Sequence, residues 1–265
     1  EAGSDAAAMR LKATPTEGGW VLNGQKTWTT SAHFAEWYWV GARTDPDAPK
    51  HSGITLFLVP MDHPGITVQG IQTMGDEVTN DVFFDDVFVA DEYVVGQLNH
   101  GFRYISEALD LERFTMFTFS PVKQRLDLLL DHVRTATRDG RPVREDPRVR
   151  SRMARLATAA EVARGLGLRV VDASVRAERD GGSPPTVEAS EYKLFTTEFS
   201  KQLADASMDL GGPGTQLRVG TEDAPMDGRA ESTYRFTVLD TIGGGTSEVQ
   251  KNIITRRGLG LPRNF

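Results

Sequence analysis

Three segments of this 265-residue chain carry residues whose types and spacing could do chemistry. Glu112 follows a helical pattern beside Asp110 and Arg113, where a carboxylate either forms local ion pairs on a solvated face or acts as a general base. Residues 243–247, Gly-Gly-Gly-Thr-Ser, precede a predicted helix start, where free N–H groups attract an anion or a developing oxyanion, although a flexible loop before a capped helix has the same pattern. Residues 27–30, Thr-Trp-Thr-Thr, are either a strand with an aromatic core residue or a site that sets an indole and a hydroxyl against a flat, polar ring. None of the three patterns decides a function alone.

Composition excludes several other kinds of chemistry. Cysteine is absent, which excludes disulfides, thiolate metal sites and cysteine nucleophiles and agrees with a reducing cytoplasm. The five histidines are scattered, with no pair at the i, i+4 spacing of a helical metal site, so no metal site is predicted. A net charge of −7 argues against nucleic acid as a partner, and no stretch approaches the roughly 18 apolar residues of a membrane-spanning helix. Because the chain opens on Glu-Ala-Gly-Ser-Asp without an initiator methionine, we expect it to be a piece of a longer cytoplasmic protein.

The elements that must position these residues differ between the two halves of the chain. Residues 1–98 contain short apolar runs separated by turn signals, the pattern of an antiparallel β domain. Asn23-Gly24, between the apolar run 20–22 and residues 25–30, predicts a hairpin with a type I′ turn. Further strands are predicted at residues 37–40, 54–59, 68–72 and 82–89.

From residue 99 onward the apolar spacing becomes helical. Ser120-Pro121 is expected to interrupt or kink the first helix, and Ser247 and Gln250 have the spacing of a capping box. A β half followed by a helical half predicts an α+β fold. The predicted helices cover residues 102–114, 149–163, 188–210 and 247–258.

Taken together and in this order, the segments resemble successive signatures of the acyl-CoA dehydrogenase family. The resemblance covers nearly the whole chain and implies an antiparallel β-barrel-like middle domain at residues 1–98 and a C-terminal four-helix bundle at residues 99–265. The family's N-terminal helical domain would then be missing. The signatures are Glu-Ala-Gly-Ser-Asp at 1–5, Asn-Gly-Gln-Lys-Thr-Trp-Thr-Thr at 23–30, Phe-Asp-Asp-Val-Phe-Val at 84–89, Leu-Glu-Arg at 111–113, Ile-Gly-Gly-Gly-Thr-Ser-Glu-Val-Gln at 242–250, Asn-Ile-Ile at 252–254 and Leu-Gly-Leu-Pro-Arg at 259–263.

The resemblance implies FAD as the cofactor, held between the β domain and the bundle. In the family, an indole at the position of Trp28 flanks the flavin ring, and a hydroxyl at the position of Thr30 bonds near its reactive nitrogen. The positions that match cofactor-binding residues of the family are Ser4, Trp28, Thr29, Thr30, Gly211, Gly212, Thr246, Ser247 and Glu248.

The resemblance also implies an acyl-CoA thioester as the substrate. Members of the family remove a proton from the α carbon while a hydride leaves the β carbon, and donors stabilise the charge on the thioester oxygen. Many members carry the basic glutamate at the position of Gly244, whereas a minority branch similar to isovaleryl-CoA dehydrogenase carries it at the Leu-Glu-Arg site, where Glu112 lies. Glu112 is therefore the predicted base. The positions that match substrate-binding residues are Ser4, Asp110, Arg113, Gly244 and Gly245.

Two departures from the family pattern concern residues that serve the dinucleotide across a dimer interface. Ala136 and Asp139 replace the arginine and phenylalanine of an Arg-x-x-Phe-Gly segment, and Met208 replaces a glutamine. We expect an oligomer of related chains, either a homotetramer or an α₂β₂ heteromer. The implied activity is FAD-dependent α,β-dehydrogenation of an acyl-CoA, with electrons passed to an electron-transfer flavoprotein. The alternatives are a non-catalytic subunit that completes the FAD site of a partner, and an oxygen-using acyl-CoA oxidase or flavin monooxygenase relative.

Overall fold

The computed structural model of the protein describes residues 3–115 and 118–262, apart from the side chain of Leu111. It divides into two compact units, Glu1–Ala108 and Leu109–Phe265. Three residues of the family signatures, Glu1, Ala2 and Arg263, lie outside the described residues.

The first unit is a seven-stranded sheet whose strands follow the order β5-β6-β2-β1-β3-β4-β7. Neighbouring strands are antiparallel except β1 and β3, which pair in parallel at Lys12 and Arg43. Among the described residues β5 and β7 are the sheet edges, so the predicted β domain is confirmed as an open sheet rather than a closed barrel. The strands are β1 Lys12–Thr16, β2 Gly19–Lys26, β3 Trp37–Arg43, β4 Ile54–Pro60, β5 Ile66–Gln72, β6 Val78–Ala90 and β7 Val94–Val95.

The core of this unit forms because apolar side chains of neighbouring strands meet on one face. Leu22 of β2, Phe57 of β4 and Val87 of β6 are fully buried in one cluster. Burying a side chain of this size contributes about 1.5–3 kcal/mol relative to leaving it exposed. This core fixes the strands from which the 27–30 segment emerges.

The predicted hairpin at Asn23-Gly24 is wrong, because β2 runs through both residues without a turn. Gly24 has a φ of 132°, and the register of β2 against β6 shifts between Leu22 and Gly24. The Asn23 side chain donates to the Asp86 carboxylate and accepts from the Asp86 backbone N–H, both at 2.9 Å. The β-bulge lies on β6, where Asp85 and Asp86 together oppose Asn23, and the turn between β1 and β2 contains Gly18, whose φ is 71°.

The second unit begins within the helix Gly101–Thr115, whose residues 101–108 belong to the first unit, and it is mainly helical, so the α+β prediction is confirmed. α3 begins at Pro147, whose missing N–H costs nothing in a first turn, and Asp146 caps it by accepting from the Arg148 N–H at 2.8 Å. α3 ends at Gly181 in the left-handed conformation. The helices are α1 Gly101–Thr115, α2 Phe119–Thr135, α3 Pro147–Asp180, α4 Thr186–Gly211, α5 Arg229–Asp240 and α6 Ser247–Ile253; a short hairpin, β8 Thr137–Arg138 and β9 Arg141–Pro142, follows α2, and a π-helical turn, Ile254–Gly258, follows α6.

Apolar residues of α2, α3 and α4 build the core of the helical unit around Leu129, Ala163 and Leu203. Pro121 lies in the first turn of α2, where it breaks no helical hydrogen bond, so it marks a helix start rather than a kink. No helix among the described residues is long and apolar enough to span a membrane.

Candidate functional site

Trp28 follows the end of β2 and is presented to solvent. Its φ of 64° lies in the left-handed region that non-glycine residues rarely adopt, and its side chain is 61% exposed. The interpretation of Trp28 as an aromatic core residue of a strand is therefore wrong. A Cβ placed on Gly3 would lie 3.8 Å from the indole Nε1, so the segment that carries Ser4 runs beside the indole.

Thr29 is tied to the sheet by a buried asparagine. The Thr29 N–H donates to the Asn80 carbonyl at 2.9 Å, and the Asn80 side-chain amide donates to the Thr29 carbonyl at 2.8 Å. The Thr29 hydroxyl bonds to the Tyr38 hydroxyl at 2.9 Å, and burial raises the pKa of Tyr38. Thr30 is exposed. The backbone of Thr29 is thus tied to the sheet while Trp28 and Thr30 face outward, and no local sequence pattern indicates the roles of Asn80 and Tyr38.

Glu112 lies on α1 outside the ion pair formed by its neighbours. Arg113 is buried and its guanidinium pairs with the Asp110 carboxylate, which also accepts from the Thr186 hydroxyl at 2.8 Å. Glu112 is half-buried, and its carboxylate makes no hydrogen bond or ion pair with any described residue. The local ion pair considered for Glu112 therefore belongs to Asp110 and Arg113, and the Glu112 carboxylate remains available to a ligand.

The glycine loop, residues 241–247, ends at the first residue of α6 and contains two glycines with positive φ, Gly244 at 63° and Gly245 at 91°. Two buried side chains donate hydrogen bonds to the carbonyl oxygens of these glycines. Gln250 Nε2 donates to the Gly244 and Gly245 oxygens at 2.9 and 3.1 Å, and Lys193 Nζ donates to the Gly245 oxygen at 2.8 Å. The φ of 91° favours glycine at position 245, and an added Cβ would lie 2.7 Å from Gln250 Nε2, which would have to shift. The N–H groups of Gly244, Gly245 and Thr246 donate to no described acceptor.

The three residues after the glycines have different surroundings. Thr246 caps α6 by accepting from the Val249 N–H at 3.3 Å, so the prediction that Ser247 and Gln250 form the capping box is wrong. The Ser247 hydroxyl instead donates to Glu198 Oε1 at 2.5 Å and is buried. Glu248 is exposed, and its own backbone N–H and the Thr246 hydroxyl lower the pKa of its carboxyl. Only Thr246 and Glu248 of these three side chains are open to a ligand.

Lys193 connects α4 to the glycine loop. Its side chain is fully buried, and this burial lowers the pKa of its amine to about 8, with Arg113 acting in the same direction and Asp240 and Glu198 opposing it. A charged side chain inside a helix usually marks a solvated face, so sequence reasoning missed Lys193. An apolar or small residue would be expected at so buried a position.

Gly211 and Gly212 end α4 and have structural reasons to be glycine. Gly212 has a φ of 73°, and a Cβ on Gly211 would lie 2.2 Å from Thr215 Cγ2. Counted along α4, Gly211 is roughly 27 Å from Lys193, at a helical rise of about 1.5 Å per residue. The structure therefore does not bring this glycine pair to the loop at residues 241–247.

The structure thus brings together, within the helical unit, Arg113 of α1, Lys193 of α4 and the glycine loop, whereas Trp28 to Thr30 and Ser4 lie in the sheet unit. The described residues contain no group of histidine, aspartate and glutamate that could hold a metal ion.

Comparison with known proteins decides the family. The model of the acyl-CoA dehydrogenase C-terminal domain matches residues 99–259, and that of the middle domain matches residues 1–87. The chain belongs to the acyl-CoA dehydrogenase family.

Two curated proteins and one solved structure show how similar this chain is to known members of the family. Acyl-CoA dehydrogenase FadE34 of Mycobacterium tuberculosis is 37% identical over 99% of this chain and 34% of its own length. A mitochondrial isovaleryl-CoA dehydrogenase of Solanum tuberosum is 33% identical over 96% of this chain and 60% of its own length. The solved Tcur3481-Tcur3483 steroid ACAD is 30% identical, with a TM-score of 0.88 over 99% of this chain and 66% of that chain. The chain thus spans from about a third to about two thirds of the length of these relatives.

Proposed function

We propose that the protein containing this chain catalyses the FAD-dependent α,β-dehydrogenation of an acyl-CoA thioester, with Glu112 as the general base. One observation carries the proposal: the Glu112 carboxylate is half-buried and without a partner among the described residues, while position 244 of the loop is glycine. The 33% identity to an isovaleryl-CoA dehydrogenase supports this placement, since enzymes of that kind carry the base at the Leu-Glu-Arg site.

In this proposal Glu112 removes a proton from the α carbon of the thioester. A base without a salt-bridge partner can accept the proton without first breaking an ion pair. Arg113 and Asp110 neutralise each other beside it and keep the helix turn in place. Negative charge that develops on the thioester oxygen is stabilised by the Gly244 N–H, which has no described acceptor.

The residues of the chain fit the cofactor that the family implies. An exposed indole at Trp28 offers an aromatic face beside the exposed Thr30, and Thr246 and Glu248 are open beside the glycine loop. We propose that these four residues, with the backbone of Thr29, hold FAD. FAD, when bound, supplies the acceptor for the hydride that leaves the β carbon. The buried Ser247 hydroxyl, which bonds to Glu198, supports the loop instead.

We extend the proposal to the finer properties that the family resemblance implies. These are a middle β domain joined to a four-helix bundle near residue 98, a further N-terminal helical domain, a cytoplasmic location and an electron-transfer flavoprotein as electron acceptor. The solved relative is named a steroid ACAD, so a steroid bearing an acyl-CoA thioester is the first substrate class to assay.

A second candidate is a subunit that completes the FAD site of a related chain. The name of the solved relative joins two chains, Tcur3481 and Tcur3483. In this chain Met208 and Ala136 pack against the core of the helical unit. The nearby Arg138 donates to the carbonyl of Leu210 at 3.0 Å, at the end of α4. Met208 and Ala136 thus face the core of their own unit, whereas the family residues that they replace serve the dinucleotide of a partner, which supports an α₂β₂ assembly with a different partner chain.

The full-length protein, alone or with a related partner chain, tests the proposal. We expect it to purify yellow and to lose its flavin absorbance anaerobically when an acyl-CoA from a panel of straight, branched and steroid thioesters is added. Rapid reoxidation of the reduced flavin by air would favour the oxidase alternative over an electron-transfer flavoprotein. A protein that cannot be loaded with FAD, in either form, would refute the flavoenzyme proposal.

A further inference from the structure

The glycine loop is held from the interior of the helical unit by two polar side chains that the reaction does not use. Lys193 and Gln250 are both fully buried. Between them they donate three hydrogen bonds to the Gly244 and Gly245 carbonyl oxygens, at 2.8, 2.9 and 3.1 Å. These two carbonyls therefore point into the interior.

Because the peptide bond is planar and trans, the C=O of one residue and the N–H of the next point in opposite directions. The direction of a carbonyl therefore sets the direction of the N–H that follows it. With the Gly244 and Gly245 carbonyls directed inward, the N–H groups of Gly245 and Thr246 are directed away from Lys193 and Gln250. Neither N–H has an acceptor among the described residues.

We propose that Lys193 and Gln250 are positioning residues that aim the N–H groups of Gly245 and Thr246 at an oxygen atom of a bound ligand. This inference rests on the proposed function, because the family supplies two ligands with such oxygens, the acyl-CoA and FAD. Both present the same chemistry, an oxygen that carries partial or full negative charge.

The positive charge of Lys193 makes the N–H of the peptide whose carbonyl it contacts a stronger hydrogen-bond donor. A cation at the oxygen end of a peptide polarises it and makes its N–H a better donor. Burial lowers the pKa of Lys193 to about 8, so the amine is mostly charged at neutral pH, with the Asp240 and Glu198 carboxylates favouring the charged form. Glu198 also accepts from the Ser247 hydroxyl at 2.5 Å, which fixes the first residue of α6.

Hydrogen exchange of the full-length protein tests the positioning role directly. Lys193→Met removes one donor with little change in side-chain volume, and Gln250→Leu removes the other two hydrogen bonds. We expect the hydrogen-bonded amides of Ile242, Gly243, Ser247 and Val249 to exchange at least about tenfold faster in each variant, with α2 and α3 unaffected. The matched control is Lys251→Met, an exposed lysine on α6, which should leave the loop unchanged.

A conservative variant and ligand binding complete the test. Lys193→Gln retains a donor and should recover part of the protection that Lys193→Met loses. In the FAD-loaded protein, flavin reduction should slow at least about tenfold in Lys193→Met, with the acyl-CoA Kd changed less than about twofold, if the ligand oxygen belongs to the thioester. A weaker FAD Kd, measured by flavin fluorescence, would assign that oxygen to FAD and equally support positioning.

Two results would overturn the inference. One is unchanged loop exchange in both Lys193→Met and Gln250→Leu; the other is faster exchange spread over the whole helical unit, which a purely structural lysine would give. If Lys193→Met does not fold, Gln250→Leu carries the test. A wild-type protein that shows the loop response but never reduces flavin would refute the proposed function and leave the positioning role standing.

Discussion

The buried amine of Lys193 makes the free energy of unfolding of the helical unit increase with pH. Its pKa falls from the ordinary 10.5 to about 8 because the side chain is fully buried. Between these values the unfolded chain holds a proton that the folded chain has released. The free energy of unfolding therefore rises with pH through this window, and below about pH 8 the folded state carries the whole cost, about 3 kcal/mol at about 1.4 kcal/mol per pH unit.

Lys193→Met removes this titration, so the informative quantity is the difference in unfolding free energy between the wild-type and variant proteins. We expect that difference to shift in favour of the wild type by about 2 kcal/mol between pH 7 and pH 9.5. Urea denaturation of the full-length protein, followed by the helical circular dichroism signal, measures it at each pH. Lys251→Met controls for the loss of one positive charge at an exposed site.

A difference that stays constant within about 0.5 kcal/mol over this range would refute the reasoning, since a shift of about 2 kcal/mol is expected. Lys26 of β2 does not confuse the comparison. Burial and the nearby Arg43 lower its pKa to about 8 as well, but Lys26 is present in both proteins and cancels.

Two further substitutions test the loop and the Trp28 segment. Gly245→Ala forces a φ of 91° on alanine and sets its Cβ 2.7 Å from Gln250 Nε2, so we expect a loss of about 1–3 kcal/mol in urea denaturation; the control Gly165→Ala, in α3 with no atom near the added Cβ, should stabilise by about 0.5–1 kcal/mol. Asn80→Leu removes the donor to the Thr29 carbonyl, and we expect thermal unfolding of the sheet unit, followed by tryptophan fluorescence, to show a loss of about 1–3 kcal/mol. An unchanged stability in Asn80→Leu would show that this hydrogen bond does not anchor the segment.

The fold class could be predicted from the sequence, because the spacing of apolar residues and the turn residues between elements are local signals. The change from alternating to helical spacing near residue 99 separates sheet from helices, and the spacing from Val149 to Ala163 falls inside α3. Asn23-Gly24 misled the hairpin prediction, since β2 accommodates this pair opposite a bulge in β6, and the local sequence does not show the partner strand. α5 was missed because only Ala230 and Thr237 of its residues are buried, which leaves little apolar periodicity to find.

The candidate site also contains residues that the sequence indicates and residues that it does not. Residue type and order were enough to single out Glu112 and the glycine loop through the family resemblance. Lys193 and Asn80 carry no local signal, because a lysine in a helix and an asparagine in a strand are ordinarily exposed. Their importance arises from burial and from a hydrogen bond to a carbonyl distant in the chain, which only the folded structure reveals.

The most direct test of the proposed function is the rate of flavin reduction in Glu112→Gln of the full-length, FAD-loaded protein, measured anaerobically by stopped flow. The amide keeps the shape of the carboxylate and loses its basicity, so we expect FAD and acyl-CoA to bind with Kd values within about twofold of wild type while reduction slows by about two to four orders of magnitude. Glu107→Gln is the matched control, since Glu107 is exposed on the same helix in a surface pair with Arg103 at 3.0 Å, and it should reduce flavin at the wild-type rate. A wild-type rate of reduction in Glu112→Gln would contradict the account and place the base on another residue or on a partner chain.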